Sequence, residues 1–402
     1  MKERLSVKDV DIKNKKVLMR CDFNVPLDEN RNITDDTRIK ASLPTIEYCL
    51  NQNCSVILMS HLGRPKGKVK PELSLKPVYE YLRKYFENKN IVVKWSKDCI
   101  GEKVKEEVSS LNNKEVLLIE NLRFHPEEEA NDSNFAKSLS SLGEVFVQDA
   151  FGSVHRKHAS TVGITNYLLS VSGFLLQKEI EFLNKALENP TNPYLVILGG
   201  AKVSDKIDVI ENLMDKADSF IIGGAMAYTF LKTEGVEVGS SLVEEDKISL
   251  AKDILEKANK MKKLVLLPID HVIANEVSSN ADVKETEGID IPSGWKGVDI
   301  GPQSLSRFSS SIYKANTILW NGPVGVFEIE KFSYGTSRIA HLLAEMTSKG
   351  ATTIVGGGDS VAAIKKFNLE NKFSHISTGG GASLEFLEGK QLPGIMALKE
   401  KK

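Results

Sequence analysis

Short runs rich in Val, Ile and Leu alternate with amphipathic segments along almost the whole of this chain. That alternation constrains its fold more than any other feature. The runs fall at 16–20, 55–60, 91–93, 116–120 and 144–148, then at 194–198, 219–222, 264–267, 317–319 and 352–355. Runs this short and this apolar suit strands covered on both faces. Helical patterns lie between them, for example at 38–50, 73–85 and 246–261. A β–α alternation of this kind predicts an α/β fold with doubly wound parallel sheets.

With 402 residues the chain exceeds what one hydrophobic core usually serves. The rhythm breaks near 170–193, where 173–187 reads as one helix with Leu176, Ile180, Leu183 and Leu187 at helical spacing. Pro190 and Pro193 then stop it. The expected organisation is an N-terminal domain over 1–172, an interdomain helix over 173–189 and a C-terminal domain over 190–389.

Composition narrows the classes of function. A net charge of −1 offers no global field for nucleic acid or a membrane surface. No apolar run approaches the roughly 18 residues of a membrane span, and the first residues carry no apolar signal core. Cys21, Cys49, Cys54 and Cys99 form no C-x-x-C pair and no zinc spacing. A cytoplasmic protein in a reducing compartment is expected.

The chemistry-bearing residues gather just after the strand candidates, where α/β sheets bind ligands. In the first half these are the loops 22–26, 61–65, 121–125 and 149–158. If they converge, Arg38, Arg64, Arg123 and Arg156 form a cradle for a small ligand with two anionic ends, since Arg captures carboxylate and phosphate in a planar fork. Asp22 and Asn24 would then meet its hydroxyl. Taken singly, each residue reads equally well as a loop cap or a surface ion pair.

In the second half the corresponding loops are 199–206, 223–225, 321–325 and 356–359. Gly199, Gly200 and Ala201 let backbone approach phosphate at a helix start. Lys202 and Lys206 would share a face if that turn is already helical. Asp359 is either an N-cap or, beside a triphosphate, a Mg²⁺ contact. Gly379-Gly-Gly offers a further helix start, and Glu328 could reach a ribose hydroxyl. There is no G-x-x-x-x-G-K-[ST], no protein-kinase motif set and no G-x-G-x-x-G after the first strand.

Together the motifs resemble the phosphoglycerate kinase family. They are Arg20-Cys-Asp-Phe-Asn-Val-Pro26, His61-Leu-Gly-Arg-Pro65, Glu120-Asn-Leu-Arg-Phe-His125 and Asp149-Ala-Phe-Gly-Ser-Val-His-Arg-Lys-His158, followed by Leu198-Gly-Gly-Ala-Lys-Val-Ser-Asp-Lys206, Trp320-Asn-Gly-Pro-Val-Gly-Val-Phe-Glu328, Gly356-Gly-Gly-Asp359 and Ser377-Thr-Gly-Gly-Gly-Ala-Ser383. The resemblance implies a cytoplasmic, hinge-bending monomer. It would pass a phosphoryl group reversibly between 1,3-bisphosphoglycerate and ADP, giving 3-phosphoglycerate and ATP, with Mg²⁺ and with neither nucleic acid nor membrane as partner. It implies that Asp22, Phe23, Asn24, Arg38, His61, Leu62, Gly63, Arg64, Arg123 and Arg156 hold the phosphoglycerate. Gly200, Ala201, Lys202, Lys206, Gly224, Gly297, Val298, Asn321, Pro323, Glu328, Gly357, Gly358, Asp359 and Ser360 would hold the nucleotide. Arg38, Lys202, Lys206 and Gly380 would act on the moving group, and Asp359 would contact the metal. The family's chain also returns to its first domain, so about 390–402 should pack there. Ala225, Cys21 and Lys157 depart from the commonest pattern.

Two other classes compete with this reading. A catalytically inactive nucleotide-binding homologue would bind ADP without turnover, and an α/β oxidoreductase would bind a nicotinamide cofactor.

Overall fold

The computed structural model describes residues 3–401; Met1, Lys2 and Lys402, which the expected ranges 1–172 and 390–402 include, lie outside it. Two compact units emerge. One takes the chain up to Glu181 and again from Gln391; the other takes Phe182–Lys390.

The first unit is built on β1 (Lys16–Arg20), β2 (Ser55–Met59), β3 (Val93–Trp95), β4 (Val116–Leu118), β5 (Val145–Gln148) and β6 (Leu169–Ser172), all parallel, in the order β3-β4-β2-β1-β5-β6. Side chains alternate across a strand, so β1, β2, β4 and β5 each feed two cores. Val17, Met19, Val56, Leu58 and Val147 enter one, while Leu18, Ile57, Leu117 and Phe146 enter the other. Helices α1 (Thr37–Asn51), α2 (Lys76–Glu87), α3 (Glu102–Ser109), α4 (Pro126–Glu129), α5 (Ser133–Ser140) and α6 (Phe174–Leu187) accompany this sheet, and the division between units falls within α6. The chain's return is bonded into the same unit, with Gly394 N–H donating to Val154 O at 2.8 Å and Leu5 N–H to Lys399 O at 2.8 Å.

The second unit carries β7 (Tyr194–Leu198), β8 (Ser219–Ile222), β9 (Leu264–Leu266), β10 (His271–Ala274), β11 (Val283–Glu285), β12 (Lys296–Ile300), β13 (Thr317–Asn321), β14 (Thr352–Gly356) and β15 (His375–Ile376). Six of these form a parallel sheet in the order β15-β14-β13-β7-β8-β9. Its helices are α7 (Ile207–Leu213), α8 (Met226–Thr233), α9 (Ile248–Lys260), α10 (Pro302–Ile312), α11 (Tyr334–Ser348), α12 (Gly358–Lys366) and α13 (Gly381–Leu387); α14 (Pro393–Met396) belongs to the returning segment. From β7 the chain winds outward through β8 and β9, then restarts at β13 and winds the other way. The crevice between β7 and β13 is therefore the sheet's switch point.

The structure corrects several local expectations. The strand at 91–93 lies instead at Val93–Trp95, and the helix expected from 73 begins at Lys76, because Pro71–Leu73 closes a separate 3₁₀ turn. β6 occupies part of the stretch where the rhythm breaks; its Leu-Ser-Val-Ser pattern alternates rather than running apolar. The antiparallel sheet β11-β10-β12 was not foreseen, and all three β11 residues are exposed, so no apolar run announces it.

Candidate active site

In the first unit β1, β2, β4 and β5 lie side by side, so the loops after them share one sheet edge. Arg38, in the first turn of α1, places Nη1 at 3.0 Å from both carboxylate oxygens of Asp22. Asp22 also accepts Asn24 N–H at 3.1 Å, so it is committed first to Arg38 and its own turn. Asn24 Oδ1 accepts Gly63 N–H at 2.8 Å, which leaves its NH₂ to donate. Arg123 Nη1 reaches Gly63 O at 3.1 Å and ties the second and third loops together. Gly63 has φ of +61°, and a Cβ there would stand 2.7 Å from Leu73, so only glycine fits this junction. Arg64 and Arg156 are exposed. Phe23 and Leu62 have buried side chains, so what they can offer a ligand is backbone.

Beneath these groups lies a buried polar network. Arg20 is fully enclosed and its Nη2 stands 3.0 Å from His61 Nδ1. A guanidinium only donates, so Nδ1 accepts and the ring proton sits on Nε2. Burial holds the imidazole well below its usual titration range, helped by the nearby charges of Arg20, Arg123 and Arg38, so it stays neutral. Arg20 Nε donates to Ser160 Oγ at 2.9 Å, and that hydroxyl donates to Glu128 Oε1 at 2.6 Å. Glu128 also accepts Ser160 N–H at 2.9 Å and is fully buried. Burial raises its carboxyl, while Arg20 pulls it back down. Burial depresses Arg123, with Arg64 adding a smaller push, and Arg123, Arg20 and Arg156 add to the burial that lowers His158 to about 4. Cations crowded in this way are uncomfortable until an anion joins them.

In the second unit the loops after β7 and β13 meet at the switch point. Gly199 N–H donates to Asn321 O at 3.1 Å and Gly200 N–H to Pro323 O at 3.0 Å. The approach is close enough that a Cβ on Gly199 would lie 2.0 Å from Pro323 O, and one on Gly322 would lie 2.2 Å from Gly199 O. A cleft of about 530 Å³ opens here, lined by Gly200–Lys202, Lys206, Asn321, Gly357–Ser360, Gly380 and Gly381. The starts of α7, α12 and α13 border it, and helix starts favour negative charge. Lys206 donates to Asn321 Oδ1, and burial lowers its ammonium despite Asp205 and Asp359. Asn321 Nδ2 is buried with no hydrogen-bond partner, so a donor waits at the floor of the cleft. Ser360 spends its hydroxyl on Gly322 N–H at 2.6 Å.

A second, more apolar cleft shares Gly200, Ala201 and Asp359 with the first and adds Gly224, Tyr228, Gly297, Val298, Pro323, Val326 and Glu328. Gly297 is needed there because a Cβ would lie 1.9 Å from the Tyr228 hydroxyl. A polar end joined to a flat apolar end matches a nucleotide, phosphates at one side and base at the other. Exposed Glu328 stands at the apolar end, where a ribose would pass. Asp359, exposed in the first turn of α12, lies where the clefts join. A lone carboxylate beside phosphate oxygens is the donor set that suits Mg²⁺.

Two expectations change. Lys202 and Lys206 do not share a helical face, since α7 begins only at Ile207 and Lys202 is exposed in the preceding loop. Ala225 needs no glycine, because its φ of −64° is right-handed. The residues the sequence reasoning passed over are Arg20, Glu128 and Ser160. A charged residue ending the apolar strand Lys-Val-Leu-Met-Arg was the available signal, since an unpaired Arg is almost never fully buried.

A family model described as phosphoglycerate kinase matches residues 7–390. Phosphoglycerate kinase of Pseudothermotoga lettingae is 52% identical over 401 residues, covering 100% of both chains. That of Chlorobium chlorochromatii is 55% identical over 397 residues, covering 98% of this chain and 99% of its own. The structure of phosphoglycerate kinase from Coxiella burnetii superposes with a TM-score of 0.88 at 41% identity, covering 98% of each chain.

Proposed function

The chain belongs to the phosphoglycerate kinase family, and from that premise we propose how its own residues divide the work. The reaction is phosphoryl transfer with a carboxyl group as acceptor, between 3-phosphoglycerate and ATP in one direction and 1,3-bisphosphoglycerate and ADP in the other. The single observation that supports the division best is the orphaned amide of Asn321 beside Lys206, at the switch point where three helix starts converge.

The phosphoglycerate takes the cationic edge of the first unit. Arg64, Arg123 and Arg156 neutralise its anionic ends, and the NH₂ of Asn24 and the Nε2–H of His61 donate to its oxygens. Arg38, oriented by Asp22, faces the moving group. The nucleotide phosphates take the polar cleft of the second unit, with Lys206 and Asn321 at its floor and Lys202 free to follow the transferred phosphoryl group. Gly380 adds backbone donors, and the base lies against Val298, Pro323 and Val326. Asp359 would hold Mg²⁺, which neutralises phosphate charge when bound.

No general base is required, because the acceptor carboxylate is already ionised at neutral pH. Catalysis then rests on positioning and on charge placed around the equatorial oxygens. Each unit holds half of the reaction, so transfer demands a closed state that excludes water as a competing acceptor. The same reading makes the enzyme a magnesium-dependent cytoplasmic monomer; four buried free cysteines support a reducing compartment, and among the described residues no helix is long and apolar enough to cross a membrane.

The test is ATP consumption with 3-phosphoglycerate and Mg²⁺, coupled to glyceraldehyde-3-phosphate dehydrogenase and NADH oxidation. Arg38→Ala should lower turnover on the order of 10²-fold or more while ADP binding stays intact. Near-normal turnover would remove Arg38 from the catalytic set.

A further inference from the structure

β3 and β4 are parallel neighbours, so the loops leaving their carboxyl ends run side by side. The pairing extends past the strands, with Ser96 N–H donating to Leu118 O at 2.9 Å and Glu120 N–H to Asp98 O at 3.3 Å. This brings Asp98 and Cys99 from one loop against His125 from the other. One carboxylate oxygen, the thiol sulfur and one imidazole nitrogen lie within 4.8 Å of one another. His125 Nε2 is 2.7 Å from Asp98 Oδ1, and the ring packs against Phe135 at 5.4 Å between centroids, which fixes its plane. Cys99 is fully buried at the floor, while the side chains of His125 and Asp98 are 27% and 55% exposed. The cluster thus has a closed thiol side and an open carboxylate side. None of the three residues serves the transfer reaction described above.

We propose that Asp98, Cys99 and His125 form a binding site for one divalent transition-metal ion of the zinc class. A thiolate, an imidazole and a carboxylate are the ligands such ions take, and the soft sulfur disfavours Mg²⁺ and Ca²⁺. Three protein ligands leave a fourth, tetrahedral position for water on the exposed side. Bonds of about 2.0–2.3 Å put neighbouring ligand atoms roughly 3–4 Å apart, so the His125–Asp98 pair, now at 2.7 Å, opens slightly and the wider pairs, within 4.8 Å, close by roughly 1–2 Å. On binding, the metal replaces the thiol proton of Cys99, which leaves to solvent. His125 turns a lone pair on Nε2 to the metal and carries its remaining proton on Nδ1. The ion exchanges one hydrogen bond, His125 to Asp98, for three metal–ligand bonds.

Cobalt(II) reports such a site without any reference to turnover. Titration of Co²⁺ into the reduced full-length protein should saturate at one equivalent. It should give a near-ultraviolet sulfur-to-cobalt charge-transfer band and visible bands of tetrahedral intensity, and Zn²⁺ should bleach both. Cys99→Ser should abolish the charge-transfer band, and His125→Gln should weaken binding by roughly tenfold or more. If Cys99→Ser fails to fold, His125→Gln and Asp98→Asn decide, since both alter partly exposed side chains. No charge-transfer band at one equivalent, its survival in Cys99→Ser, or unchanged affinity in His125→Gln would overturn the site and leave His125–Asp98 an ordinary hydrogen bond.

Discussion

Replacing Glu128 by Gln removes the countercharge from a guanidinium that has no access to water. Arg20 stays ionised whatever its surroundings, and its link to Glu128 runs through one hydroxyl, from Arg20 Nε to Ser160 Oγ at 2.9 Å and on to Glu128 Oε1 at 2.6 Å. In Glu128→Gln the amide oxygen can still accept Ser160 N–H, but the NH₂ then faces a hydroxyl that already accepts from Arg20. One charge-assisted bond is lost, and a buried cation loses its main countercharge and keeps only Asp22. Breaking a buried pair in this way costs about 3–5 kcal/mol, and the retained bond places this variant near 3 kcal/mol. In a domain of this size that is roughly 6–12 °C in Tm. Urea denaturation measures the loss. The same network sets the His61 tautomer, so the second readout is its ring nitrogens by ¹⁵N NMR. The native enzyme should show Nδ1 unprotonated and Nε2 protonated, without titration between pH 6 and 8. The variant should mix tautomers and raise the KM for 3-phosphoglycerate roughly tenfold or more, the worth of one hydrogen bond to a charged group, with a smaller change in kcat. A stability loss under about 1 kcal/mol together with an unchanged KM would refute the argument, as would a native His61 protonated on Nδ1.

Three further outcomes are expected. Asp149 is fully buried, accepts Leu176 N–H at 3.1 Å and is pushed up to about 7 by desolvation. The unfolded chain releases that proton near ~3.9, so this group favours the fold at low pH and its contribution is lost as pH rises through about 7. Asp149→Asn, which stays neutral, should flatten the stability difference between pH 5 and pH 8 by up to about 2.5 kcal/mol, and an unchanged pH profile by urea denaturation would contradict this. Gly297→Ala should force Tyr228 aside at about 1–3 kcal/mol and raise the KM for ADP, leaving that for 3-phosphoglycerate alone; an unaltered ADP KM would remove Gly297 from the site. Lys202→Ala should lower kcat while stability stays within about 0.5 kcal/mol, because the residue is exposed; a large drop in Tm would show a structural role instead.

The α/β class and the family were legible in the chain, as were the loops proposed here to carry the chemistry. Period-2 strands with both faces apolar can only be buried between two layers, and Val17 and Leu18 already point to different cores. Loops that must approach other backbones declare themselves by glycine, as at Gly199 and Gly322. Charged residues in those loops declare themselves because a sheet edge cannot hide them. Less legible were elements without an apolar run. β11 is exposed throughout, and the turn at Pro71–Leu73 blurs the start of α2.

Partnership was hidden altogether. Nothing local to Arg20 says that it faces His61 and reaches Glu128 through Ser160, or that Gly297 must be small because Tyr228 stands over it. Nothing near Cys99 says that His125 lies across from it. Local pattern fixes which face of an element is apolar, since that depends on neighbours in the chain. Which elements become neighbours in space depends on strand order, and strand order is settled by the packing of whole sheets and helices. A buried Arg, an idle Cys and a surface His look alike in sequence until that packing assigns each one its partner.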